Sequence, residues 1–196
     1  MLSGLDENSG VNRRRLFQGG AVLSVGALLA LGNAATPAVA KPVRKAPTSQ
    51  DVELLNAAIA LEHEGIAAYQ ISAESGLLTP DVLKVGILFQ SHHKQHRDDL
   101  MAAVARLGGR AVASKTQAEY ATALNAGAIK NQTDILNLAL GLETGATNAY
   151  LGLIGPVAAE GLELLVARLA ADESFHVGVL SMALGRSGAE KAPLFG

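Results

Sequence analysis

The sequence predicts an all-α fold: a four-helix bundle made of two helical hairpins joined by a long crossover. Three observations carry that prediction. Four long segments place apolar residues at helical spacing. Of the 196 residues, 49% are hydrophobic and 17% charged, whereas only 4% are aromatic and Trp is absent. A core of Ala, Leu, Val and Ile suits close-packed helices better than a β-sandwich. Finally, the two hairpins repeat one another in sequence, which predicts a pseudo-two-fold arrangement.

Residues 1–40 have the layout of an export signal. Asn12-Arg13-Arg14-Arg15-Leu16-Phe17-Gln18 precedes an uncharged segment from Gly19 to Gly32, and Ala38-Val39-Ala40 forms a small-x-small cleavage pattern. The Arg pair and the two apolar residues after it resemble a twin-arginine (Tat) signal. Asn12 and Gln18 stand where such signals usually carry Ser or Thr and Lys. The 14-residue apolar segment is shorter than the roughly 20 residues of a spanning helix, so no stable membrane insertion is expected after cleavage. Cleavage after Ala40 leaves 156 residues with a net charge of −3. The expected location is the periplasm, or another exported compartment reached by the Tat route. That route carries folded cargo, which suits a protein that acquires metal in the cytoplasm.

Residues 41–48 read as a linker and 49–185 as the bundle. The first helix runs from Ser49 to Ser75, with Val52, Leu55, Ile59, Ile66 and Tyr69 at helical spacing and Thr48 or Ser49 as its cap. Gly76 lies just past its end. Thr79-Pro80-Asp81 then reads as cap, first-turn Pro and first-turn acid of a second helix that stops at Gly108-Gly109. Residues 110–130 form the long connection, with a short helix over 115–124. A third helix spans 132–154 and is broken by Gly155-Pro156; a fourth runs over 157–184. Residues 186–196 are expected to form a flexible tail, with no fifth helix of the kind a 24-subunit cage would use.

The repeat is specific. Leu61-Glu62 precedes Ala68-Tyr69 as Leu142-Glu143 precedes Ala149-Tyr150. His93-x-x-His96 begins 31 residues after Glu62, and Glu173-x-x-His176 begins 30 residues after Glu143. Leu100 and Leu180 follow four residues after each final His. Residues three apart share a helix face, so Glu62, His93, His96, Glu143, Glu173 and His176 are expected to converge. Carboxylates can bridge cations and offset their charge, and imidazole is a neutral ligand for Fe, Mn, Zn or Cu. Burying these groups without metal would be costly, so metal would stabilise the fold.

At these residues the chain resembles the ferritin-like superfamily, and within it the exported bacterial ferritin-like domain proteins. The resemblance covers residues 50–184. Glu62 matches the first-helix Glu, Glu143 the third-helix Glu, Glu173 and His176 the fourth-helix Glu-x-x-His, and His96 the second-helix His. His93 stands where the superfamily normally has Glu. The resemblance implies a metal-binding protein holding one or two Fe or Mn ions, with Zn or Cu as the other choices. Its implied role is di-iron or di-manganese redox chemistry, or metal and oxidative-stress homeostasis. Three carboxylates with three imidazoles also leave open a single-metal or degenerate site. The alternatives are a metal-free structural or stress-related periplasmic bundle, and a metal carrier using the His cluster of the second helix.

Other residues have plainer readings. Tyr69 and Tyr150 lie two turns from their Glu, roughly 10 Å along the axis, as core packing or as phenols beside a metal. Glu64 and His63 point away from the face of Glu62 and read as surface or supporting groups. His92 and His96, four apart, could form a surface pair. Asp98-Asp99 beside Arg97 reads as a solvated face. Gly141 and Gly145 interrupt a helix, each at a cost of roughly 1 kcal/mol against Ala, which close helix approach would explain. No Cys is present, which excludes disulfides, thiolate metal sites and thiol catalysis. The net charge of −2 and the lack of a basic patch argue against nucleic acid. The apolar composition allows a homodimer.

Overall fold

A computed structural model describes residues 49–186; the expected signal, linker and most of the expected tail lie outside them. The described residues form five α-helices and no strand. These are α1 (Ser49–Glu74), α2 (Pro80–Arg106), the short α3 (Gln117–Ala123), α4 (Gln132–Leu153) and α5 (Leu162–Ala183), with a 3-10 turn at Ala126–Ala128. α1 packs on α2 and α4 on α5 as two hairpins. α1 also meets α4, whereas α2 and α5 touch only sparsely.

Local chemistry explains most boundaries. Gly76 and Gly108 adopt positive φ angles of 70° and 73°, which glycine reaches without steric cost and which end α1 and α2. Thr79 occupies the cap position of α2, but its side chain makes no capping bond; its backbone N–H instead donates to Gln132 Oε1 at 2.8 Å. α3 begins with a complete capping box, Thr116 and Glu119 satisfying each other's backbone N–H groups. Asn131 caps α4 by accepting from the Asp134 N–H at 3.0 Å.

The fourth long helix starts later than its sequence suggests, at Leu162 rather than 157. Asp51, fully buried, accepts a hydrogen bond from the Ala158 N–H at 2.8 Å and draws that segment onto α1. Val157 and Ala159 then enter the core as turn residues, and Gly161, at φ 84°, launches the helix. Gly141 is exposed, with open space where a side chain would lie, so close helix approach does not account for it. Nothing in the structure explains that glycine.

The core falls into layers along the bundle. Leu54, Leu55, Ile59, Leu100, Leu153 and Val166 anchor the larger apolar cluster. Phe89, Leu136, Ala139 and Leu180 form a second cluster around Tyr69. On each long helix the polar residues singled out above fall between positions of these two clusters. Tyr120 of α3 and Leu124 just after it form a third patch with Ala67 and Ala68 of α1.

Candidate metal centre

The four long helices deliver all six residues to one buried layer. Glu62 comes from α1, His93 and His96 from α2, Glu143 from α4, and Glu173 and His176 from α5; each is at most 4% exposed. They form two overlapping quartets: Glu62, His93, His96 and Glu173, and His93, Glu143, Glu173 and His176. Within each quartet one ligand atom per residue lies within 4.8 Å of every other. Glu173 spans the two, its Oε1 accepting from His96 Nδ1 at 2.9 Å and its Oε2 from His176 Nδ1 at 3.2 Å. A carboxylate so shared is placed to serve two cations at once.

His93 sits at the centre. Its Nδ1–H donates to Glu62 Oε2 at 2.8 Å and its Nε2–H to Glu143 Oε1 at 3.1 Å. A ring with both nitrogens facing carboxylates is satisfied as the imidazolium. Burial alone would lower its pKa, but the Glu143 and Glu62 charges and hydrogen bonds outweigh that and hold it well above the usual range. His96 follows the same balance, with Glu173 and Glu62 raising it to about 10 against burial. Burial would raise Glu62, yet hydrogen bonds and charges from His93 and His96 bring it down to about 2. Glu143 is likewise held well below its ordinary value against burial, chiefly by the His93 charge. Glu173 goes the other way, up to about 7, through burial and its hydrogen bond with Glu143.

His93 fits because of Gly65. A Cβ at that position would stand 3.2 Å from His93 Nδ1 and 3.3 Å from its Cε1, tighter than the ring could accept without shifting. In the repeat, Gly65 corresponds to Ala146. The hairpin that carries the extra imidazole also carries the glycine that makes room for it.

Supporting groups follow the repeat as well. The Tyr69 hydroxyl of α1 donates to Glu143 of α4, and the Tyr150 hydroxyl of α4 donates to Glu62 of α1. Each hairpin thus anchors the other's carboxylate, so these tyrosines do more than pack the core. Burial and the nearby carboxylates hold both phenols protonated, well above their usual pKa. Tyr69→Phe or Tyr150→Phe should each lose about 1.5–3 kcal/mol of stability in urea titrations, because a buried carboxylate loses a donor. A change within experimental error would refute the anchoring role.

The outer nitrogens of two histidines are held in the same reciprocal way. His96 Nε2 lies 3.3 Å from Asp172 Oδ2, and His176 Nε2 shares a hydrogen bond with His92 Nδ1 at 3.0 Å. Both inner nitrogens are therefore Nδ1, aimed at the carboxylates. His92 does not pair with His96; it backs His176 across the α2–α5 seam. His92 and Asp172 directly precede His93 and Glu173 at equivalent positions of the repeat, and that equivalence is the signal that could have found them.

Of the two readings of Glu64, surface or supporting group, the structure favours the second. It is 2% exposed, and its Oε1 is buried without a hydrogen-bond partner. Burial raises its pKa to about 7. It lines a cavity of about 30 Å³ with Glu62, His93 and Glu143, roomy enough for one water. His63 is half-buried and bonds the Val112 carbonyl at 3.3 Å. Asp98 pairs with Arg97 at 2.7 Å and remains solvated, as expected.

The family model described as the ferritin-like domain matches residues 50–186. The chain belongs to the ferritin-like domain family. Among solved structures, this ferritin-like chain is similar to a conserved hypothetical protein from Mycobacterium tuberculosis. The two are 20% identical with a TM-score of 0.61, over 69% of this chain and 90% of the other. At that identity the likeness concerns the fold alone. No curated protein matches the sequence. Among the described residues, no helix of the ferritin-like domain is long and apolar enough to cross a membrane.

Proposed function

We propose that the ferritin-like layer binds one or two transition-metal ions, Fe or Mn before Zn or Cu, in a protein exported to the periplasm by the Tat route. One observation carries the metal reading: a single buried carboxylate, Glu173, belongs to both quartets of donor atoms. The donor set fits such ions, with three carboxylates to offset charge and three imidazoles as intermediate ligands. Glu62, His96 and Glu173 would hold one ion and Glu143, Glu173 and His176 the other, with His93, which faces both, able as a neutral imidazole to ligate one of the two. Bound iron or manganese would supply one-electron redox chemistry, consistent with a role in metal or oxidative-stress homeostasis.

The chain's own residues prepare that chemistry. Tyr69 and Tyr150 hold Glu143 and Glu62 in orientation. Asp172 and His92 hold the rings of His96 and His176 with Nδ1 inward, the kind of outer support that is worth about 10–100-fold in metal affinity. Burial keeps bulk water from the ligands, which strengthens each electrostatic contact among them.

A metal-free structural or stress-related bundle is the second reading, and one observation favours it. Protonated His93 bridges Glu62 and Glu143, so the cluster can satisfy itself with protons in place of cations.

Elemental analysis of the mature protein, purified from its native export route without added metal, separates these readings. About two Fe or Mn per chain supports the two-ion site, and about one Zn or Cu a single-ion site. No metal, with no change in Tm on adding Fe(II), Mn(II), Zn(II) or Cu(II), favours the metal-free bundle. Mass spectrometry of the same material should find the N-terminus at Lys41. Retention of residues 1–40 in the exported protein would overturn the cleavage expectation.

A further inference from the structure

On the Tyr69 side of the polar layer lies a second cavity that none of the six clustered residues enters. It is a cleft of about 200 Å³ between α1, α2, α4 and α5, open to solvent past Asp81 and Ala183. Its walls are almost wholly apolar, built chiefly by Val82, Val85, Phe89, Leu136, Ala139 and Leu180. Small residues create the space. Gly86 presents no side chain, and a Cβ there would meet only Tyr69 Cδ1, at an ordinary 3.7 Å.

Water is a poor occupant here, since a buried water needs 2–4 polar partners and these walls offer almost none. Closed apolar cavities of about 150 Å³ accept benzene or xenon, and this cleft offers at least that room. The exposed rim carries the Asp81 carboxylate, which disfavours an anionic occupant.

The site is also placed to report on the polar layer. Tyr69 and Phe89 belong to its wall. The Tyr69 hydroxyl bonds Glu143, and Phe89 stacks on His176 with ring centroids 4.0 Å apart. The same two rings meet edge to face at 6.2 Å. An occupant would therefore press on two side chains that contact the candidate ligands.

We propose that this cavity is a binding site for a small uncharged apolar molecule, a single aromatic ring or a short aliphatic chain, seated against Tyr69 and Phe89. Binding there requires no metal, so the proposal stands apart from the metal reading.

Toluene titrated into the metal-free mature protein, followed by methyl NMR, tests it. Saturable shifts are expected at the methyls of Val82, Val85, Leu136 and Leu180, with a rise in Tm. Gly86→Leu and, independently, Ala139→Leu should fill the cavity, stay folded and weaken toluene binding at least tenfold. Benzoate should bind at least tenfold more weakly than toluene. Unsaturable or scattered shifts, equal binding by a folded filled variant, or equal binding of benzoate would overturn the proposal. So would toluene binding that appears only after removal of residues 187–196, which would assign the cavity to the chain's own C-terminus.

Discussion

Glu173→Ala should abolish metal binding at both positions of the ferritin-like layer, whereas Glu62→Ala and Glu143→Ala should each weaken one. Glu173 alone among the carboxylates contributes to both quartets of donor atoms, through Oε1 on one side and Oε2 on the other. Loss of an outer supporting group costs about 10–100-fold in affinity, and loss of a shared direct ligand should exceed about 100-fold. Elemental analysis after equilibration with Fe(II) or Mn(II) should therefore fall from about two ions per chain toward none. Glu163→Gln, at an exposed position of the same helix, should leave the content unchanged. Glu173→Gln keeps the side-chain volume and separates charge loss from cavity formation. Wild-type stoichiometry and affinity in Glu173→Ala would remove the basis of the two-position reading.

The second large effect is on pH dependence of the metal-free protein. His96 rises from 6.5 to about 10 on folding, and His93 and His176 shift the same way. A base raised on folding contributes stability that is complete below its unfolded pKa and is lost as pH climbs through the folded value. Glu173, raised to about 7, adds a loss in the same direction, because the fold favours its protonated form. Glu62, lowered to about 2, and Glu143, also lowered, contribute above the ordinary carboxylate range and lose that contribution only in strong acid. Metal-free protein should thus be most stable near pH 5–6. Its Tm should drop by on the order of 10 °C between pH 6 and 9.5, a loss of several kcal/mol for a domain of this size. Metal competes with protons for the same atoms, so saturation with Mn(II) or Zn(II) should flatten or reverse that slope. A level Tm profile for the metal-free form would contradict the charged, mutually paired cluster described here.

The reciprocal contacts show how far a repeat can be read. Spacing alone brought out Glu62, Glu143 and the two x-x-His pairs, because residues three and seven apart fall on one helix face whatever the partner helix does. The same repeat aligns Tyr69 with Tyr150 and His92 with Asp172, but their meaning lies across the bundle. Each reaches into the other hairpin, and no period within one helix encodes that contact. Gly65 is a similar case: a glycine in a helix is legible, but the His93 ring that needs its space arrives from α2.

Helix starts and stops were set by short-range chemistry wherever a glycine or cap governed them, as at Gly76, Gly108 and Thr116. The late start of α5 was not, because Asp51, 107 residues away in sequence, holds the Ala158 N–H. The choice between surface and supporting group at Glu64 is open along α1 for the same reason. On α1 alone it sits two residues off the face of Glu62; in the fold it lines one cavity with His93 of α2 and Glu143 of α4.

The all-α class, the two hairpins and the set of six convergent side chains are legible along the chain, since helical periodicity and an internal repeat are properties of local order. The place of His93 between two carboxylates, the sharing of Glu173 by the two quartets and the apolar cleft beside Tyr69 arise only when the helices pack. Those outcomes depend on which faces meet and how closely, and packing between segments far apart in sequence sets that distance.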